Sequence, residues 1–306
     1  MKTMNRMIAL LLALVMCFAL CACGGKDEPA SPSDVADAPA TDAPSDEPQE
    51  PASDSDIPAE PVGPATDTDV AESDLAYVLG KGKLVVGITD FEPMDYRDEN
   101  GDWIGFDADM AKAFAERLGV EVEFVEINWD NKVLELDGKT IDCVWNGMTL
   151  TDEVMSAMEC SNAYCNNAQV VIVPADKAGD YQTVESCADL VFAVEAGSAG
   201  EAEVSALGYQ YTPVLSQADA LMEVAAGTSD AAVIDSLMAA AMVGGNTGYS
   251  QLTYTVGLNS EEYGVGFRKG SDLAAKLNEF LAAAYADGSL MACAEKYGVQ
   301  AAVIAQ

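Results

Sequence analysis

The sequence predicts an α/β protein of two lobes with a cleft between them, and three observations carry that prediction. Continuous apolar runs such as Leu84-Val85-Val86-Gly87-Ile88 and Val170-Val171-Ile172-Val173 read as strands of sheets covered on both faces. Such strands alternate with amphipathic helices twice along the chain, forming two α/β units. A C-terminal return through Tyr263-Gly264-Val265-Gly266-Phe267 then ends in helices.

Before the folded part lie two segments of other kinds. Met1 to Cys23 carries Lys2 and Arg6, an apolar run from Met7 to Met16 and a small-residue end, which is a secretion signal too short to be a membrane span. Leu20-Cys21-Ala22-Cys23-Gly24 resembles a bacterial lipoprotein cleavage box. On that reading residues 1–22 are the leader and lipidated Cys23 anchors the chain to the outer face of the cell membrane. An ordinary signal peptide that happens to end in Cys is the alternative. Residues 23–74 form an acidic tether of Pro, Ala, Ser and Asp. Between Asp27 and Ser73 it has fourteen acids and no base, too few apolar groups to offset chain entropy, and a reach on the order of 40 Å as a flexible coil.

Charge narrows the function. The 306 residues hold 51 Asp and Glu against 15 Lys and Arg, for a formal net charge of -36, and include no His. Nucleic-acid phosphates and anionic lipid would repel such a chain, so nucleic acid is excluded as a partner. Without imidazole, hydrolytic triads and His-based zinc sites are excluded as well, and no metal or cofactor is expected.

The folded region is expected from Leu75. After the strand Leu84–Thr89 come a loop, Asp90 to Tyr96, and a turn at Asn100-Gly101. Phe106, Met110, Phe114 and Leu118, four apart, mark a helix with Asp107 as N-cap and Gly119 as its stop. A strand from Val120 to Ile127, a short helix from Asp130 to Asp137 and a strand from Ile141 to Trp145 follow. The run then breaks at Asn146-Gly147 and meets helix-start chemistry at Thr149-Leu150-Thr151-Asp152-Glu153, which reads as strand, tight loop and helix. Strand ends and helix N-termini in α/β sheets form ligand crevices, so this turn is expected to floor a binding site.

A strand from Gln169 to Pro174 leads to the second unit. It comprises a strand at Leu190–Val194, a loop from Glu195 to Gly200 and a helix to Leu207. A helix at 217–226 capped by Ser216 follows, then the strand Ala231–Ile234 ending at Asp235, and the helix Ser236–Val243. The return strand feeds a helix capped by Ser271, with Leu273, Leu277, Phe280, Leu281 and Ala284 on one face, and a final helix from Leu290 to Tyr297.

Four stretches together resemble the extracellular solute-binding proteins of polar amino-acid ABC importers. They are Gly101-Asp102-Trp103-Ile104-Gly105-Phe106-Asp107-Ala108-Asp109, Asn146-Gly147-Met148-Thr149-Leu150-Thr151-Asp152-Glu153, Asp230-Ala231-Ala232-Val233-Ile234-Asp235 and Tyr263-Gly264-Val265-Gly266-Phe267. The resemblance implies the two-lobed periplasmic-binding-protein-like fold, with lobes joined by two crossing strands near Val171 to Pro174 and Glu262 to Gly266 that close like a hinge. The lobes would be residues 75–172 plus 263–306, and residues 173–262. It further implies a non-catalytic monomer that captures an amino acid or amine and delivers it to an ABC transporter permease.

By position, the resemblance implies Phe91 and Trp129 as aromatics sandwiching the ligand, and Asn146, Gly147 and Thr149 as a polar floor. Ser198 would be the second-lobe hydroxyl and Asp235 the ammonium acceptor. Relatives grip the ligand carboxylate with an Arg one place after the Glu of a Thr-x-Glu-Arg pattern; here that place is Val154. Glu195 falls where some relatives carry Lys or Gln. Two carboxylates without a matched cation favour a cationic ligand, either a basic amino acid or an amine lacking the carboxylate. Helix-start N–H groups at Gly197 to Gly200, or Arg97 or Lys132, are other means of holding a carboxylate. Each residue also has a structural use: Phe91 as core, Trp129 as packing, Asp235 as a helix cap, Glu195 as a solvated loop acid, and Trp145 as core. Of Cys143, Cys160, Cys165, Cys187 and Cys293, at most two pairs could form, Cys160 with Cys165 being locally feasible and Cys143 reading as a core thiol. Functions of other classes remain open: a cyclohexadienyl dehydratase-like enzyme on the same scaffold, with two carboxylates as acid and base, or a ligand-sensing receptor.

Overall fold

A computed structural model describes residues 73–306; Cys23, the expected leader and the tether up to residue 72 lie outside the described residues. Ser73 and Asp74, assigned to the tether from sequence, belong to the fold. Ser73 Oγ accepts from the Ala76 N–H at 3.1 Å and caps α1 (Asp74–Lys81). Asp74 itself receives Arg268 Nε at 2.9 Å, an ion pair that fixes where the fold starts.

The first unit follows in order. It contains β1 (Lys83–Ile88), the two-residue strands β2 (Tyr96–Arg97) and β3 (Trp103–Ile104), α2 (Phe106–Leu118), β4 (Glu121–Glu126) and α3 (Lys132–Asp137). Then come β5 (Cys143–Thr149), α4 (Asp152–Ala157), β6 (Glu159–Cys160) and β7 (Cys165–Asn167). The second contains β8 (Gln169–Pro174), β9 (Val191–Glu195), α5 (Ala199–Ala206), β10 (Gln210–Val214), α6 (Gln217–Ala226), β11 (Ala231–Asp235), α7 (Ser236–Met242) and β12 (Leu252–Gly257). The return comprises β13 (Glu261–Phe267), α8 (Leu273–Asp287) and α9 (Ser289–Lys296).

Two main sheets result. The first has strand order β4-β1-β5-β13-β6 with β7 also paired to β13, and the second has order β10-β9-β11-β8-β12. In each, three strands run parallel, and the strand reached from the other unit, β13 or β8, pairs antiparallel. The chain changes sheet at Ala168, between β7 and β8, and across residues 258–260, between β12 and β13. These points lie ahead of the sequence-based boundaries at 172/173 and 262/263, because β8 is already in register with β11 at Gln169↔Asp235 and β13 with β7 at Glu261↔Asn167.

Three local expectations are corrected. Asp107 is not the cap of α2; Gly105 is, at φ 128, where a Cβ would stand 2.1 Å from Met94 O. Asp107 instead lies buried in the first helical turn, its Oδ2 accepting from Gly147 N and Tyr164 Oη, each at 2.7 Å. Asn146-Gly147 is not a turn either, since β5 runs on to Thr149. Gly147 takes φ 54 inside the strand, beside an irregularity where the pairing with β13 slips between Gly264 and Gly266. Finally, β10 and β12 have no counterpart in the sequence reading; both are edges of the second sheet with partly exposed faces.

Trp145 is core, packed against Phe114 with ring centroids 6.2 Å apart. All five described cysteines are free thiols. Behind the first sheet, Arg268 ties the return strand to the start of the fold. It bonds Asp74, Ile141 O (2.7 Å) and Asp142 (3.4 Å), while Asp142 also takes Lys81 Nζ (2.6 Å) and the Val85 N–H (2.7 Å). Asp142 is fully buried, so its removal takes the carboxylate partner from Lys81 and one of two from Arg268. Asp142→Ala is expected to cost about 3–5 kcal/mol in urea unfolding of the purified chain; wild-type stability would show the cluster to be dispensable.

Candidate functional site

The strand ends of both sheets open on one cavity of about 560 Å³. Phe91, Trp129, Asn146, Gly147 and Thr149 line it from the first unit, and Glu195, Ser198 and Asp235 from the second. All eight sequence-derived candidates therefore meet in one place, with Val154 and Lys132 also on the wall.

Their geometry distinguishes residues that support the wall from residues that present chemistry. Phe91 is buried edge-on to Tyr263 at 6.4 Å, and a Cβ on Gly147 would come 2.4 Å from the Phe91 ring, so glycine lets the aromatic lie on the floor. Asn146 spends its amide on the first unit: Oδ1 accepts from Thr89 N (3.0 Å) and Oγ1 (2.8 Å), and Nδ2 donates to Thr89 O (3.1 Å) and Asp95 Oδ2 (2.8 Å). Thr149 Oγ1 donates to Glu261 Oε1 at 2.9 Å. Ser198 Oγ caps α5 by accepting the Glu201 N–H at 3.1 Å.

Among the described residues Asp235 has no cationic partner and is surrounded by neutral donors. Tyr263 Oη (2.7 Å), Gln169 Nε2 (3.0 Å) and Asn167 Nδ2 reach Oδ1, and Gln217 Nε2 reaches Oδ2. Glu261 shares this amide set, taking Asn167 Nδ2 at 2.7 Å and Gln169 Nε2 at 2.8 Å. Burial, and then the nearby Glu261 charge, push the Asp235 carboxyl up to about 7. Sequence reasoning missed Asn167, Gln169, Gln217 and Glu261. The one available signal was two amides spaced two apart just ahead of an apolar run; they lie on β7 and β8, either side of the change of sheet at Ala168.

Glu195 ends β9 and is 3% exposed, yet its Oε1 has no hydrogen-bond partner among the described residues. Burial, followed by the charge of Asp235, raises it to about 8, with Lys132 and then the side-chain donors of Gln217 and Thr89 acting in the opposite sense. Lys132 projects from α3 across the cleft, donating to Gly197 O (2.9 Å) and Trp129 O (3.2 Å) and lying 5.0 Å over the Trp129 ring. Burial lowers its pKa, while Glu195 heads the charges that raise it. Of the two basic residues left open from sequence, Lys132 lines the cavity. Arg97 does not; it stacks 4.1 Å over Trp103 and lines a separate hollow with Asp90, Glu92 and Glu126. Gly197 sits at φ 72, where a Cβ would stand 2.7 Å from the Asp130 Cα, so the two units touch at this rim. Among the described residues no group of three or more Cys, Asp or Glu is placed to hold a metal.

The family described as bacterial extracellular solute-binding proteins, family 3, matches residues 84–300. The chain belongs to this family. This solute-binding protein is 27% identical over 225 residues to the arginine-binding extracellular protein ArtP of Bacillus subtilis, covering 71% of this chain and 87% of that protein. It is 28% identical over 232 residues to the L-cystine-binding protein TcyJ of Escherichia coli, covering 73% and 85%. A crystal structure of a mutant of ArgBP from T. maritima superposes with a TM-score of 0.69 at 34% identity, covering 73% of this chain and 98% of that one. These matches establish the two-lobed periplasmic-binding-protein-like α/β fold and the extracytoplasmic class. Cyclohexadienyl dehydratase of Pseudomonas aeruginosa matches over 115 residues at 31% identity, covering 37% of this solute-binding protein and 43% of the enzyme.

The raised Glu195 pKa carries a pH signature. Between the ordinary 4.5 and about 8 the folded chain holds a proton that the unfolded chain has released, so stability falls as pH rises through that window. Glu195→Gln is expected to flatten the fall, gaining on the wild type by at most roughly 1.4 kcal/mol per pH unit. Chemical denaturation at pH 5 and pH 8.5 measures it; parallel losses in both proteins would place the titration elsewhere.

Proposed function

We propose that this solute-binding protein captures a cationic ligand, a basic amino acid or a related amine, in the cleft cavity and hands it to the permease of an ABC importer. The single observation that carries the reading is Glu195: a carboxylate 3% exposed, on the cavity wall, with Oε1 unpartnered. A buried acceptor of that kind is completed by a donor from the ligand. Six acids line that wall, Asp130, Asp152, Glu153, Glu195, Glu201 and Asp235, against Lys132 as the one cation among the described lining residues, so the wall is net acidic. A zwitterionic ligand leaves that excess untouched, and a cationic ligand offsets part of it.

The relatives support the reading unevenly, since ArtP is arginine-binding and TcyJ cystine-binding. A structure of ArgBP holds arginine. In our reading all eight lining candidates contact the ligand or the residues that touch it, Phe91 and Trp129 by stacking and Asp235 and Glu195 by charge. The lobes divide by sheet membership and swing about Ala168 and residues 258–260, the chain acts as a monomer, and lipidated Cys23 anchors it to the membrane.

Binding rather than turnover is the role we assign, since the relatives matched over most of their length are binding proteins. The dehydratase reading rests on one feature, the two carboxyls held near neutrality in one cavity. Product formation from cyclohexadienyl carboxylates would establish it.

The purified chain is expected to show a raised melting temperature with L-arginine or L-lysine and little change with L-glutamine. Affinity for the cation is expected to rise from pH 6 to pH 8, by up to about tenfold per unit, as the raised carboxyls give up their protons to the ligand's charge. A response to neutral amino acids alone, or affinity that falls across that range, would refute the cationic reading.

A further inference from the structure

We infer that Lys132 replaces the guanidinium absent at Val154 and holds the ligand's carboxylate, so that the ligand is a basic α-amino acid and not an amine stripped of its carboxylate. The inference rests on the cationic reading above and takes it one step further. Glu195 and Asp235 account for the ligand's positive charge; Lys132 calls for a negative one.

The ammonium of Lys132 is buried, and both of its hydrogen-bond acceptors, Trp129 O and Gly197 O, are neutral carbonyls. An ammonium has three N–H donors, and none of the three meets a carboxylate: among the described residues no Asp or Glu oxygen lies within 4 Å of Nζ. A buried cation held only by neutral groups gains from an incoming anion.

Its position agrees. The carboxylates acting on it through space are Glu195, Asp130, Glu153 and Glu201. Glu153 adjoins Val154 in the first turn of α4, Glu201 lies in the first turn of α5 behind Ser198, and both helix starts line the same cavity as Lys132. None of these acids serves as its direct partner. Asp130 and Glu153 are exposed to solvent, and Glu201 is committed to the Gly197 N–H at 2.7 Å. The cavity wall that carries Val154 and Ser198 also carries Lys132, the one cation among its described lining residues. An amine without a carboxylate would add a second positive charge beside Lys132 and leave it unpaired.

Calorimetric titration of the full chain with L-arginine, L-arginine methyl ester and agmatine tests this. L-arginine is expected to bind the wild type roughly 10–100-fold more tightly than either the ester or agmatine, the range of one lost charge-assisted interaction. Lys132→Met is expected to remove most of that preference, weakening arginine and leaving agmatine unchanged or tighter, and Lys132→Arg to restore it. The wild-type comparison stands even where Lys132→Met fails to fold. Agmatine bound as tightly as arginine, or equal losses for both ligands in Lys132→Met, would overturn the role of Lys132 while leaving the cationic reading intact. Binding of none of the three by the wild type would remove both.

Discussion

A carboxylate withdrawn from water costs several kcal/mol unless other donors replace its hydration, and in this chain that requirement organises the centre of the fold. Asp235 takes its donors from Asn167 on β7, Gln169 on β8, Gln217 at the start of α6 and Tyr263 on β13. Three of those strands flank the points where the chain changes sheet. Solvating one buried acid therefore also sets the registers of the passages between the units, with Glu261 drawing on the same amides from the other side. Any displacement of one unit against the other has to rearrange this shell.

Close approach is the second constraint. Gly147 lets the Phe91 ring rest on the β5 floor, and Gly197 lets the rim of the second unit meet Asp130. Both positions take positive φ, so each glycine answers a backbone demand and a spatial one together. Lys132 uses the second approach, reaching Gly197 O across the seam. The cavity is thus bounded by contacts that only small side chains permit, while Glu195, Asp235 and Lys132 are its buried charged groups.

Much of the architecture was legible because strand and helix periodicities differ and the units alternate them. What escaped has physical reasons. Asn146-Gly147 carries the strongest local turn signal, but pairing with β13 keeps the segment in the sheet and absorbs the glycine as an irregularity. Asp107 has the chemistry of a helix cap, yet Gly105 takes that place through its contact with the Met94 carbonyl. At the site, motif position brought eight residues to one cavity. It could not show that the hydroxyl of Thr149 faces Glu261, because that partner is set by tertiary approach, whereas the Ser198 hydroxyl is taken up locally as the cap of α5. Nor could it choose Lys132 over Arg97, since a basic residue in a short segment reads the same whether it reaches solvent or a cleft.

The absence of histidine, first used to exclude chemistries, has an experimental consequence. The carboxyls of Asp107, Asp235 and Glu195, held near 7, 7 and 8, are buried in or just beneath the cavity. In most proteins a proton count near neutrality is crowded by imidazoles on the surface. Here that background is missing, so potentiometry or buffer-dependent calorimetry on the unlabelled chain would read the protonation of its interior directly, making the cleft its own indicator dye.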